Sequence, residues 1–198
     1  LWVYIPTIGY NRINTADVFG SYSKYPGGGP ALVKATIEHN LGIPVHYYVR
    51  GTLLALISLV DTLGGIDVAV DCSLYDANFR PPVNFKPGVH HMDGRTALRY
   101  ARSRYTTNDF DRSRRQQRVL RAIWDKALRV NVLPKVPDIW NSLASYVQTD
   151  LPTSNILSLA YLGVQMRPQS IRTRVIGYGQ VRDMIGYGGA MVLVARPS

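Results

Sequence analysis

Between Arg99 and Arg121 the chain carries arginines dense enough to hold a polyphosphate. The segment reads Arg99-Tyr100-Ala101-Arg102-Ser103-Arg104, then Asn108-Asp109-Phe110-Asp111-Arg112-Ser113-Arg114-Arg115-Gln116-Gln117-Arg118. Arg102 and Arg104 stand two apart, so in an extended segment both point the same way. Asp111 suits the N-cap of a helix running to Arg129. On that helix Arg112, Arg115 and Gln116 fall at i, i+3 and i+4, on one face. Val119 and Ile123 continue the stripe, so this face turns apolar and packs inward. Arg114, Arg118 and Arg121 form a second stripe, expected in solvent.

Arginines in the first turn of a helix oppose the positive end of the macrodipole and one another, at about 0.3–1 kcal/mol each. Asp109 and Asp111 offset part of this. A bound phosphate would offset the rest, because free N–H groups and guanidinium forks both address its oxygens. Arginine suits the task better than lysine, since its planar fork is bidentate and keeps its charge.

Composition agrees with an anionic partner. The formal charge is +10 over 198 residues, with 46% apolar and 18% charged residues, a globular balance rather than a disordered one. Cys72 is the one cysteine, which excludes an internal disulfide and a thiolate metal cage; it reads as a small buried residue. No apolar run reaches the roughly 18 residues that span a bilayer, and Leu53 to Val60 reads as a core helix. Leu1 is not a methionine, and Leu1-Trp2-Val3-Tyr4-Ile5-Pro6 reads like the middle of a strand, so a natural N-terminus further upstream is expected.

The elements that must position these arginines alternate between strand and helix. They predict a single α/β domain over 1–198, layered α/β/α, with a central mixed β-sheet flanked by helices. Leu1 to Ile5 and Val45 to Val49 read as strands, and Pro30 to Asn40 as a helix closed by Leu41-Gly42. Thr52 to Thr62 is an apolar helix stopped by Gly64-Gly65, followed by a strand whose Ile66, Val68 and Val70 face the core. Asp71 to Pro87 is an irregular loop or hairpin, of a length often found at a cleft wall. Asp93 to Arg99, Asp111 to Arg129, Pro137 to Val147 and Ser154 to Met166 read as helices, the last capped by Thr153 or Ser154. Arg174 to Ile176 and Met191 to Val194 read as terminal strands. Between them, Ile176-Gly177-Tyr178-Gly179 and its echo Ile185-Gly186-Tyr187-Gly188 read as glycine turns.

Several of these stretches together resemble the LytR-CpsA-Psr family. Arg102, Arg104, Asp109, Arg112, Arg115, Gln116 and Gln117 are similar to its R-x-R pair followed by D-x-x-R-x-x-R-Q-Q. Gly88 to Tyr100, with Gly94 and Ala97-Leu98, resembles the approach to that motif. Val60-Asp61-Thr62-Leu63-Gly64-Gly65-Ile66-Asp67-Val68 resembles its V-D-x-L-G-G-V-D-V signature, and Arg12-Ile13-Asn14 its K-I-N segment. The resemblance runs from Leu1 to about Leu162. It implies an extracytoplasmic phosphotransferase that moves a polyprenyl-pyrophosphate-linked glycan onto peptidoglycan or a similar wall polymer at the membrane surface. By position, Arg102, Arg104, Arg112 and Gln116 would grip the diphosphate with Arg115 assisting. Asp109 would orient arginines, or assist a metal or the incoming hydroxyl, so that Asp109, Arg102 and Arg104 are the implied catalytic set. The implied cofactor is a divalent cation, magnesium being the expected ion. The family's metal-binding aspartates lie in segments expected upstream of Leu1, and enzymatic activity is expected only where those residues accompany the chain. Ala31–Ile37 and Thr52–Val60 are candidates to wall a lipid channel.

Other chemistries find less support. His39, His46, His90 and His91 lack zinc-ligand spacing, and Asp67, Asp71 and Asp76 read as exposed loop and strand-end residues with no calcium-loop pattern. Gly27-Gly28-Gly29 lacks the Lys-Ser/Thr ending of a P-loop and reads as a flexible turn. No nucleophile elbow is present. The charge and the thirteen tyrosines would suit a polyanion, but no nucleic-acid module is recognisable and no nucleic-acid partner is expected. The alternative from a different class is a non-catalytic assembly protein that forms homo-oligomers by adding a strand to an exposed sheet edge.

Overall fold

The computed structural model describes residues 1–104, 108–130, 134, 136–166 and 172–196. Residues 105–107 of the arginine segment fall outside that set. Helices and strands alternate as an α/β chain should, and they gather into two compact units. The first comprises Leu1–Arg50, Thr149–Leu151 and the stretch from Ile176; the second comprises Gly51–Gln148 and Pro152–Val175.

In the first unit, β1 (Trp2–Ile5) and β2 (Gly9–Arg12) form an antiparallel hairpin. They precede α1 (Ala16–Tyr22) and α2 (Gly28–Leu41). Val3, Ile5, Ala16 and Leu32 make its core. The glycine run is not a free turn: Gly27 caps α2, and Gly28 and Gly29 are its first residues. The strand expected over 45–49 is reduced to β3 (Val49–Gly51). The backbone just before it is met by side chains, since Glu38 Oε1 accepts from Val45 N–H at 2.9 Å and Asp150 Oδ1 from Tyr48 N–H at 2.8 Å.

The second unit carries the arginines. Thr52 caps α3 (Leu53–Thr62), its hydroxyl accepting from Ala55 N–H at 3.3 Å. Gly64 and Gly65, at φ 74° and 83°, stop the helix, and Gly65 N–H returns to Val60 O at 2.9 Å. Then β4 (Ile66–Val70) buries Ile66, Val68 and Val70 as the alternation predicts. The 71–87 excursion is a hairpin of β5 (Leu74–Asp76) and β6 (Val83–Phe85). β7 (Gly88–Met92), which the sequence did not signal, pairs antiparallel with β4 from Ile66↔Met92 to Val70↔Gly88. Among the described residues β4 with β7 and β5 with β6 form antiparallel ladders, the strands of an α/β chain flanked by helices.

Next come α4 (Gly94–Arg102) and α5 (Asp109–Arg129), followed by α6 (Val136–Leu143), β8 (Val147–Thr149) and α7 (Thr153–Gln165). Val60, Ile66, Val68, Met92, Tyr100 and Val119 are in one core cluster, so the inward stripe of α5 is held against β4 and α4. Each such buried aliphatic side chain contributes about 1.5–3 kcal/mol. The N-cap of α7 is Pro152 rather than Thr153 or Ser154, and no side chain closes it.

At the chain's end, β9 (Val181–Ile185) pairs antiparallel with β10 (Met191–Ala195) within the first unit. Arg174 to Ile176 is not a strand, and Arg174 O instead accepts from Gln117 Nε2 at 2.9 Å. Cys72 is exposed, because it follows the last core residue of β4 into the turn before β5.

Candidate functional site

The arginine segment begins at the end of α4, whose N-cap Asp93 accepts from Thr96 N–H at 2.7 Å. Arg102 is its last residue, so the helix runs three residues further than the sequence suggests. Ser103 then leaves the helix with extended ψ and is fully buried, while Arg102 and Arg104 on either side are exposed. The two arginines therefore flank an inward residue, although Arg102 is still in the helix and only Arg104 lies beyond it.

Ser103 is held from two directions. Its hydroxyl donates to Asp76 Oδ2 at 2.8 Å, and the same oxygen accepts Arg104 N–H at 3.0 Å. Its carbonyl accepts from Arg115 Nη2. Asp76 is 2% exposed, which corrects its reading as a surface loop residue: the β5–β6 hairpin carries it beneath the arginine segment. Nothing local in the sequence marks it, since its partner Ser103 lies 27 positions away.

α5 opens two residues before the expected start. Asn108, not Asp111, is the N-cap, and its Oδ1 accepts Asp111 N–H at 2.9 Å. An amide oxygen three residues before an N–H is the right reach for a cap, and this leaves Asp109 in the first turn with its carboxylate available. Asp109 Oδ1 faces Arg104 Nη2 at 3.0 Å and Arg112 Nη1 at 3.4 Å. One carboxylate oxygen thus gathers two guanidiniums from separate elements at the positive end of a 21-residue helix. Gln116 is exposed one turn beyond Arg112. Arg115 does not share that exposure: it is 5% exposed, and burial pushes its pKa down, with Tyr100 and Asp111 opposing. The structure brings together Arg104, Asp109 and Arg112, sets Arg102 beside them through Ser103, and places Arg115 underneath.

The second stripe does not simply face solvent. Arg114 reaches Asp111 at 3.2 Å, and Arg121 Nε meets both oxygens of Asp125 at 3.3 Å. Arg118 is half-buried between Asp71 and the Tyr100 hydroxyl. Burial works to lower its pKa, but the bond with Tyr100 and the charge of Asp71 leave it raised. All three arginines line a cleft of about 370 Å³ together with Asp67, Asp71 and Asp125.

A divalent cation needs several hard oxygen ligands converging. Among the described residues no three His, Cys, Asp or Glu side chains group in that way, and Asp109 already faces two guanidiniums. The histidines are engaged elsewhere: His91 Nδ1 lies 2.9 Å from Asp67 Oδ1 and His90 Nε2 lies 2.8 Å from Lys86 O. Among the described residues no helix is long and apolar enough to cross a membrane.

The model of the LytR_cpsA_psr family matches residues 1–190. The regulatory protein MsrR of Staphylococcus aureus is 31% identical over 159 residues, which is 79% of this chain and 45% of that protein. The polyisoprenyl-teichoic acid–peptidoglycan teichoic acid transferase TagT of Bacillus subtilis is 30% identical over 162 residues, 80% of this chain and 48% of that one. The chain therefore spans less than half the length of these curated relatives. Among solved structures, TagV of B. subtilis superposes with a TM-score of 0.77 at 26% identity, covering 98% of this chain and 73% of that one. TagT bound to LI-WTA gives a TM-score of 0.67 at 26% identity, covering 84% and 60%. With the arginine motif folded as described and the family model matching nearly end to end, this chain belongs to the LytR_cpsA_psr family.

Proposed function

We propose that the chain serves a phosphotransferase outside the cytoplasmic membrane that moves a polyprenyl-pyrophosphate-linked glycopolymer onto peptidoglycan or a similar wall polymer. The observation that carries this reading is the sharing of Asp109 Oδ1 by Arg104 and Arg112 at the start of α5. A relative named as a teichoic acid transferase, and structures of TagT described as bound to LI-WTA, support the substrate class.

On this reading Arg102, Arg104, Arg112 and Gln116 hold the diphosphate. The acceptor hydroxyl oxygen bonds to the phosphorus next to the glycan, the bond from that phosphorus to the bridging oxygen breaks, and polyprenyl phosphate departs carrying the hydroxyl proton. Charge gathering on the departing phosphate is met by guanidiniums already in place, so little reorganisation is needed. Asp109 sets the spacing of Arg104 and Arg112, and Arg115 positions Arg102 and Arg104 through the Ser103 carbonyl. A divalent cation, magnesium by the family resemblance, would draw ligands from beyond the residues grouped here; the residue roles above rest on the arginines.

Titration with a polyprenyl pyrophosphate tests the proposal. Arg102→Ala and Arg112→Ala are each expected to weaken binding about tenfold, the loss of a hydrogen bond to a charged group. Undiminished binding in both variants would sink it.

A further inference from the structure

The cleft on the other side of α5 is built differently from the Asp109 cluster. Asp71, Gln117, Arg118, Arg121, Ala122 and Asp125 line it, and its volume of about 370 Å³ lies at the small end of the range of ligand sites. Its charges cancel. Arg114, Arg118 and Arg121 stand against Asp67, Asp71 and Asp125, and the pairs Arg118–Asp71 and Arg121–Asp125 are already closed within it. Asp67 is engaged by His91 and by Arg129 at 3.5 Å. An anion would have to compete with carboxylates for the guanidiniums, and a cation would face the reverse competition. A neutral ligand meets neither cost.

The ion pairs nonetheless leave hydrogen-bonding capacity. Arg121 meets Asp125 through Nε, which leaves its terminal N–H groups as donors. Gln117 donates from Nε2 to Arg174 O and keeps Oε1 as an acceptor. Asp71 meets Arg118 through Oδ2 and keeps Oδ1. Donors and acceptors are thus held near one another by two salt bridges and the Gln117 hydrogen bond, with Ala69 and Ala122 as small apolar wall. Adjacent hydroxyls on a sugar ring each donate and accept, and a prearranged mixed set binds them without the entropy of ordering free side chains. A recess of about 250 Å³ shares Asp71, Arg114 and Arg118 with the cleft, so the two hollows adjoin and leave room for more than one ring.

We propose that this cleft binds a neutral saccharide through its ring hydroxyls, as a site separate from the arginines around Asp109. Its place in wall-polymer transfer, as a subsite for the glycan moved or for the acceptor, rests on the proposed function; the chemistry of the cleft does not.

Heteronuclear NMR titration of the whole chain tests this, with the N-acetylglucosamine tetramer, maltotetraose and, separately, inorganic pyrophosphate. At least one oligosaccharide should shift the amides of Ala69, Gln117 and Ala122 saturably, with little effect at Asp109 and Arg112. Pyrophosphate should do the opposite. Gln117→Ala should weaken saccharide binding about fivefold, as one lost hydrogen bond does. Asp125→Asn, which loosens Arg121, should weaken it independently, so the outcome does not hang on one variant's folding. No saturable shift from either oligosaccharide overturns the proposal, as does pyrophosphate acting on the same cleft amides. Failure of pyrophosphate to shift Asp109 and Arg112 counts against the proposed function and leaves the cleft standing.

Discussion

The carboxylate of Asp76 accepts the Ser103 hydroxyl, the Arg104 N–H and, at 3.0 Å, the Asn78 N–H, and the arginines flanking Ser103 take their direction from it. Asp76→Ala strips a buried hydroxyl and a part-buried N–H of their acceptor, and should cost about 2–3 kcal/mol in a urea unfolding curve. Asp76→Asn retains one acceptor oxygen and should cost less. Asp109 lies at the opposite extreme. It is half exposed, and Asp109→Ala should change stability by about 0.5 kcal/mol or less in the same experiment. Its effect should appear in diphosphate binding, because Arg104 and Arg112 lose the group that gathers them. These two aspartates also show what the sequence conceals. Asp109 is legible because arginines surround it along the chain. Asp76 sits among Tyr75, Asn78 and Arg80, a loop-like neighbourhood, and becomes a buried anchor only when α4 ends above it.

Helices α3 and α4 meet at Gly94, where an added Cβ would come within 2.3 Å of the Ile57 carbonyl oxygen. Backbone cannot yield as a side-chain tip can, so Gly94→Ala should cost about 1–3 kcal/mol and lower the thermal midpoint. The cap of α4 makes a pH-dependent contribution. Hydrogen bonds from Thr96 hold the Asp93 carboxyl below its ordinary value of 3.8. A depressed folded pKa means this stability is present above 3.8 and is lost as pH falls through the folded value. Asp93→Ala should therefore cost about 1 kcal/mol at neutral pH, and urea titrations in acid should show the gap closing. Strand β4 was readable because its alternation, Ile66 to Val70, is enforced by a core on one face. The strand expected at 45–49 failed because Glu38 and Asp150 satisfy that backbone from the side, a tertiary effect that periodicity does not report. The start of α5 moved because Asn108 supplies a cap as good as an aspartate and lies nearer the arginine pair.

The whole molecule carries a formal charge of +10, so any diphosphate affinity should fall as ionic strength rises. That dependence alone does not distinguish a site from a general positive field. On the proposed reading the anion belongs around Asp109 rather than along the charge-balanced cleft of Arg114, Arg118 and Arg121. Calorimetric titration with a short polyprenyl pyrophosphate separates the two faces of α5. The double variant Arg104→Ala/Arg112→Ala should lose more than about tenfold in affinity, since each bond to a charged group contributes about 1.5–3 kcal/mol. Arg114→Ala/Arg121→Ala, which removes the same formal charge from α5 alone, should stay within about threefold of the parent, an effect of screened long-range charge. Equal losses in the two variants, or no loss in the first, would contradict the assignment of the diphosphate to the Asp109 cluster.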